Sequence, residues 1–205
     1  MRWGDRCLTQ FERHDNGAQG LYGIIQGGVH EDLRKISAEY TKDRAFFGTA
    51  LGGCLGGNDE EMETVARASL PYAHPERPVH FLGIGKIKDV FRFVRLGVDT
   101  FDCVIPTRLA RHGMAFMKGV KGENINLKNA RYKHDSAPLD EGNGIAASSE
   151  YSKAYIHHLL KSNEMLGVQL LAQHNVATIN RLMREIRAAI KSGTLDDLQK
   201  EWLPE

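Results

Sequence analysis

The first half of the chain repeats one pattern four times: a short apolar segment followed by a segment with helical periodicity. The apolar segments are residues 21–28, 45–51, 79–86 and 100–104, with glycines or polar residues at their ends. The segment after the first of them carries Leu33, Ile36 and Tyr40 at helical spacing. Successive strand–helix units pair their strands in parallel through right-handed crossovers. The sequence therefore predicts an α/β fold with four parallel strands.

Residues suited to binding or catalysis stand at the ends of these predicted strands. Gln26 ends the first, Gly52 and Gly53 follow the second, Gly83 lies in the third and Asp102 lies in the fourth. The carboxyl ends of parallel strands meet at one edge of a sheet, so these residues are expected to face a common site. For any single glycine a tight turn is the simpler explanation. The prediction of a site therefore depends on the whole set, and on Asp102 above all.

Asp102 lies between apolar neighbours in the stretch TFDCVIPTRLAR, residues 100–111. A carboxylate in such surroundings is costly to desolvate unless a partner or a reaction uses it. The residues alone favour two interpretations about equally: an aspartate paired with a nearby arginine, or a nucleophile or acid/base at a strand end. Pro106 predicts a break into a turn that carries Thr107, Arg108 and Arg111, and the two arginines suit an anion nearby.

Beyond Arg111 the pattern changes. The segments on either side of Gly122 predict a β-hairpin, and helices are predicted over about residues 150–164, 172–191 and 195–203. Residues 118–133 are rich in basic side chains, which form either a solvated face or a patch that contacts phosphates. They are Lys118, Lys121, Lys128, Arg131 and Lys133.

Composition excludes several classes of protein. The net charge is +1, which argues against coating nucleic acid by bulk charge and permits a local basic patch. The three cysteines, Cys7, Cys54 and Cys103, are scattered without a Cys-x-x-Cys pair, so no disulfide framework or thiolate zinc knuckle is expected. No signal peptide or membrane-spanning run is visible. A cytoplasmic protein without membrane partners is the expectation.

The motifs FDCVIPTR, GIIQGG, LGIGK, NARYKHDSAPLD and YSKAYIHHL, with the glycine-rich loop at Gly52, closely resemble the tRNA-guanine transglycosylases, also called queuine tRNA-ribosyltransferases. The resemblance implies the C-terminal half of a (β/α)₈ TIM barrel with an inserted β-hairpin and helix subdomain. It divides the chain into barrel residues 1–111, a tRNA-contacting or dimer-type subdomain at 112–171, and closing helices at 172–205. The implied activity exchanges the wobble guanine of tRNA for a 7-deazaguanine base, either queuine or its aminomethyl precursor.

The resemblance also implies roles for individual residues. Asp102 matches the nucleophile that forms a covalent aspartyl–ribose intermediate, and Gln26 matches the glutamine that hydrogen-bonds the purine edge. In the glycine pair Gly52 and Gly53, the second matches the residue whose backbone N–H reads the base carbonyl. Cys54 stands where a backbone carbonyl faces the side group of the base, and Leu82 matches an apolar residue covering the base. The tRNA-binding residues on this basis are Arg108, Arg111, Lys128, Arg131 and Lys133.

The sequence departs from the family at its zinc site. Family members bind zinc through three cysteines and a histidine, and the matching positions here are Asn143, Ile145, Ser148 and His174. Isoleucine cannot coordinate a metal, and three of the four ligands are lost. We therefore predict no structural zinc and no cofactor. The subdomain is then expected to depend on hydrophobic packing, from residues such as Tyr151, Tyr155 and Leu159.

The glycine-rich loop reads GGCLGG, and Gly56 stands where bacterial members carry valine. This change either makes room for queuine or is neutral drift compensated by Leu55, and both interpretations are about equally favoured.

Half of the expected barrel is absent from the sequence. Four strands are predicted where a closed barrel needs eight, and two further family aspartates, one for base recognition and one a general base, have no counterpart. A half barrel exposes sheet edges and is expected to aggregate, dimerise or stay partly molten. The sequence predicts either a fragment or a chain that needs a complementary N-terminal half. A homodimer is the other expected assembly, and the lost zinc ligands argue against the interface that family members use. The alternative function is a non-catalytic tRNA-binding or scaffold subunit.

Overall fold

The computed structural model describes residues 1–53 and 59–204, with the backbone alone at residue 59. The chain forms two compact units. The first comprises Met1–Gly85 and Asp89–Cys103, and the second comprises Lys86–Lys88 and Val104–Glu205. The division at residues 111 and 171 that the sequence suggested stays a prediction.

The first unit contains a four-stranded parallel sheet. Its strands are β1 (Tyr22–Ile25), β2 (Gly48–Leu51), β3 (Val79–Leu82) and β4 (Thr100–Asp102), in the spatial order β1-β2-β3-β4. The helices between and before them are α1 (Arg2–His14), α2 (Glu31–Lys42), α3 (Asp59–Ser69) and α4 (Ile87–Arg95), with a 3₁₀ turn at Leu70–Tyr72. The prediction of an α/β fold with four parallel strands is confirmed.

The two faces of this sheet differ in burial. Ile25, Leu51, Phe81 and Phe101 lie in one register row, and this face packs on helix residues in the core of the unit. Successive residues of a strand point to opposite faces. The other face therefore carries Ile24, which is 46% exposed, together with Asp102. This second face is the more open one, and it carries the polar strand-end residues.

Helix α2 approaches the sheet through small residues and one arginine. Its buried residues are Arg34, Ala38 and Thr41, whereas Leu33 and Ile36 are exposed. The approach is close, because a methyl group added at Gly27 would lie 2.8 Å from the backbone nitrogen of Arg34. The apolar spacing predicted the helix correctly, and the side of the helix that is buried is a different one.

The second unit is mainly helical. It contains α5 (Ile105–Arg111), α6 (Ala146–Ser149), α7 (Lys153–Lys161), α8 (Met165–Ser192) and α9 (Leu195–Trp202). Strands β5 (Met114–Phe116) and β6 (Asn124–Asn126) pair antiparallel, and 3₁₀ turns lie at Ala130–Tyr132 and Glu141–Asn143. The hairpin expected around Gly122 is present. None of the helices in the described ranges is long and apolar enough to cross a membrane.

Two expectations for this unit need correction. The turn expected at Pro106 is the start of helix α5, because a proline in the first helical turn needs no N–H partner and its fixed φ suits a helix. Of the residues expected to pack the subdomain, Leu159 is buried and Tyr151 packs against the same core. Tyr155 is exposed instead, with its ring stacked on that of Tyr151.

Candidate functional site

The strand-end residues form a row along one edge of the parallel sheet. Leu82 and Asp102 are register partners, and the amide of Gly52 donates to the Ile25 carbonyl at 3.0 Å, which continues the pairing of β1 with β2. Gln26 and Gly52 thus stand one residue beyond the last paired row, level with Leu82 and Asp102. Neighbouring strands are about 4.8 Å apart, so the backbones of Gln26 and Asp102 are about 14 Å apart. The row has two clusters, one around Gln26 and one around Asp102.

The first cluster joins Gln26 to the glycine pair. A methyl group added at Gly53 would lie 2.6 Å from Oε1 of Gln26, and one added at Gly52 would lie 2.8 Å from its Nε2. Gly53 also has a φ of +71°, a conformation that favours glycine. The glutamine amide therefore lies directly against the glycine backbone, and no side chain fits between them. Cys54, expected beside this cluster, lies outside the described residues.

Sequence reasoning missed the residues that hold this cluster in place. Arg34 is fully buried and donates from Nε to the Gly28 carbonyl and from a terminal nitrogen to the Gly52 carbonyl, both at 2.8 Å. Ser37 accepts from the backbone amide of Gln26 at 3.0 Å. Helix α2 thus binds the loops that follow β1 and β2. The available signal was a helical spacing of Arg34, Ala38 and Thr41, which marks the side of the helix facing the sheet.

The second cluster surrounds Asp102. Its Oδ1 accepts from the amide of Gly83 at 3.2 Å and lies 3.1 Å from Nε2 of His80. The side chain is 61% exposed. The expectation of a desolvated carboxylate was wrong, because β4 is an edge strand and Asp102 points to the open face. The cluster is a solvent-accessible carboxylate held through one oxygen, and the partner is a histidine rather than an arginine.

The five predicted tRNA-binding residues all lie on the surface of the second unit. They are Arg108, Arg111, Lys128, Arg131 and Lys133. The Arg131 guanidinium lies over the Tyr132 ring, 4.6 Å from its centroid, which restricts its direction. Lys118, from the same basic run, instead binds Glu185 at 3.0 Å and Glu201 at 2.8 Å. Burial alone would lower the pKa of Lys118, but these two carboxylates outweigh it and raise that pKa.

The positions that match the family's zinc ligands form a buried hydrogen-bond network. His174 lies 2.7 Å from the Phe116 carbonyl through Nε2, so that nitrogen carries the proton, and Nδ1 accepts from the Ser148 hydroxyl at 2.9 Å. Burial, partly opposed by the bond to Phe116 and the charge of Asp140, lowers the pKa of His174. Asn143 donates its amide to the Thr178 hydroxyl at 2.9 Å.

These residues do not fit zinc. Both ring nitrogens of His174 are engaged, and Ile145 has no donor atom for a metal. Within the described residues, no group of three or more histidine, cysteine, aspartate or glutamate side chains is arranged to hold a metal ion.

The fold and the strand-end row define an α/β protein whose candidate functional groups lie at the carboxyl edge of a parallel sheet. A family model described as queuine tRNA-ribosyltransferase matches residues 1–205, and the chain belongs to this family. The queuine tRNA-ribosyltransferases of Roseiflexus sp. (strain RS-1) and Agrobacterium fabrum are 40% and 41% identical to it. A putative queuine tRNA-ribosyltransferase of Archaeoglobus fulgidus is 38% identical. Each alignment covers 98% of this chain, but only 53%, 52% and 51% of the respective relative. The chain thus spans about half the length of these relatives.

Proposed function

We propose that this chain carries the nucleophile and part of the base-binding site of a tRNA-guanine transglycosylase. Such an enzyme exchanges the wobble guanine of tRNA for a 7-deazaguanine base, queuine or its aminomethyl precursor. The observation that carries the proposal is the geometry of Asp102. Its Oδ1 is held by Gly83 and lies beside His80, while Oδ2 has no hydrogen-bond partner within the described residues. A carboxylate fixed through one oxygen keeps the other for bond formation.

The proposed reaction has two displacement steps at the ribose carbon C1′. An Asp102 oxygen bonds to C1′ as the bond from C1′ to guanine N9 breaks, and guanine leaves with the electron pair and takes up a proton. In the second step the incoming base loses a proton, its N9 bonds to C1′, and the bond from Asp102 to ribose breaks. The developing oxocarbenium charge suits a carboxylate, as in retaining glycosidases. The target nucleotide must leave the base stack to reach Asp102.

Recognition of the base is assigned to other residues of the row. In this proposal the amide of Gln26 hydrogen-bonds the purine edge, the backbone N–H of Gly53 reads the base carbonyl, and Leu82 covers one face of the base. The close contact of Gln26 with the glycine pair supports this, because it fixes the amide beside the Gly53 backbone. Cys54 and the choice between queuine and its precursor rest on the family resemblance alone.

The active unit in this proposal is an eight-stranded barrel, of which this chain supplies four strands. The open face of the sheet supports it, because an exposed apolar side chain such as that of Ile24 is costly to leave in water. A complementary N-terminal half would cover this face and supply the two aspartates that this chain lacks. The arginines and lysines on the second unit would bind the phosphates of the anticodon arm.

Exchange of labelled guanine into tRNA tests the proposal. The full chain is assayed alone and with a first-half polypeptide taken from a full-length relative, such as the Roseiflexus protein. We expect exchange at least about a hundredfold faster when the complementary half is present, because groups on both halves then act together. Binding of tRNA without exchange in either assay would contradict the proposed enzymatic activity. It would favour the second candidate, a non-catalytic tRNA-binding subunit, which the lost zinc ligands also favour.

Metal analysis gives a separate expected result. We expect the purified chain to hold much less than one zinc per molecule and to unfold at the same temperature with and without a chelator, because the ring nitrogens of His174 are already engaged. One tightly held zinc per chain, lost in His174→Ala, would contradict this.

A further inference from the structure

His80 lies beside Asp102, and the reaction described above gives it no role. The two side chains belong to neighbouring strands and point to the same face of the sheet. Nε2 of His80 lies 3.1 Å from Oδ1 of Asp102, and Nδ1 lies 2.9 Å from the hydroxyl of its register partner Thr100. The Tyr22 ring meets the imidazole edge-on, with centroids 6.3 Å apart. The imidazole, only 23% exposed, is thus held on three sides.

The partners of the ring determine where its protons lie. An ionised carboxylate only accepts hydrogen bonds, so Nε2 of His80 carries a proton and donates a hydrogen bond to Asp102. In the neutral ring Nδ1 accepts from the Thr100 hydroxyl, and in the charged ring Nδ1 donates to the same oxygen. The contact between His80 and Asp102 therefore persists in both charge states of the imidazole.

We infer that His80 is a positioning residue for Asp102, an inference that rests on the proposed function of that carboxylate. The imidazole and the Gly83 amide both hydrogen-bond to Oδ1 of Asp102. Together they fix the side-chain rotamer of Asp102 and the direction of Oδ2. Correct placement of reacting atoms contributes large factors to rate. The same two donors stabilise the carboxylate charge that returns when Asp102 separates from the ribose.

The first test reads the carboxylate orientation without catalysis. Three-bond NMR couplings across χ1 of Asp102 are measured in the full chain and in His80→Leu, which removes the donor. His80→Gln keeps an N–H in a similar place, and His14→Leu changes an exposed histidine on helix α1 as the matched control. We expect one rotamer in the wild type, His80→Gln and His14→Leu, and averaged couplings in His80→Leu. One unchanged rotamer in His80→Leu would overturn the inference, whatever the activity.

The second test separates orientation from binding in the exchange assay with the complementary half. We expect His80→Leu to lower kcat at least about tenfold with little change in KM for tRNA, and His80→Gln to recover most of kcat. A wild-type kcat in His80→Leu, or a change in KM alone, would overturn the inference. No exchange by the wild-type chain would overturn the proposed function alone. The couplings would then still show separately whether His80 orients the carboxylate.

Discussion

Asp102→Asn is expected to reduce base exchange at least about a thousandfold, because a neutral amide oxygen is a poor nucleophile at C1′. The substitution keeps the size of the side chain, and its oxygen can still accept from the Gly83 amide. Folding is therefore expected to be unchanged. The measurement is labelled-guanine exchange at saturating tRNA with the complementary half present, beside the unfolding temperature of each variant.

Asp99→Asn is the matched control for that experiment. Asp99 immediately precedes β4, and its carboxylate accepts a hydrogen bond from the Val79 amide at 2.7 Å. An asparagine oxygen can accept the same hydrogen bond. Exchange within about threefold of the wild-type rate is expected for this variant. Equal losses in the two variants would show a structural effect, and full activity in Asp102→Asn would remove Asp102 from the reaction.

Arg34→Met is expected to cause the largest loss of structure at the base-binding cluster. The substitution keeps an unbranched apolar side chain but removes the Arg34 hydrogen bonds to the buried Gly52 carbonyl and to the exposed Gly28 carbonyl. Loss of a charged donor to a buried carbonyl costs about 1–3 kcal/mol, and a local loss of stability in this range is expected. Native-state hydrogen exchange measures it locally. The amides of Gln26 and Gly52 are expected to exchange about a hundredfold faster.

Lys35→Met serves as the control for Arg34→Met, since Lys35 is its neighbour on the same helix. Lys35 is exposed, and its ion pair with Glu39 is 3.9 Å long, so its loss is expected to cost less than about 1 kcal/mol. The Leu127 amide lies in the second unit and donates a hydrogen bond to the Gly113 carbonyl. Its exchange rate provides an internal reference in both variants. Unchanged exchange at Gly52 in Arg34→Met would show that the arginine does not hold the loop.

The sequence predicted the four strands and the row at their ends because periodicity and glycines are local features. Burial of particular side chains depends on what lies opposite them, and there the predictions were less successful. Asp102 has apolar neighbours along the chain, yet it is exposed because its strand is at the edge of the sheet. Leu33 and Ile36 mark a helix, yet the side facing the sheet carries Arg34 and Ala38.

The residues that support the candidate site were missed for a related reason. His80 meets Asp102 only because β3 and β4 pair with Leu82 opposite Asp102, and this register is not visible in either segment alone. Arg34 and Ser37 act on loops that are distant in sequence or belong to other strands. Pro106 was taken as a break because proline interrupts helices, whereas at the first turn it helps to start one.

Mapping of a covalent protein–RNA adduct tests the central claim most directly. The chain and its complementary half are mixed with tRNA, quenched, digested and analysed by mass spectrometry. We predict a ribose-linked mass on the peptide that contains Asp102, present before a second base is added and lost after addition of a 7-deazaguanine base. An adduct on any other residue, or one that persists in Asp102→Asn, would contradict the account.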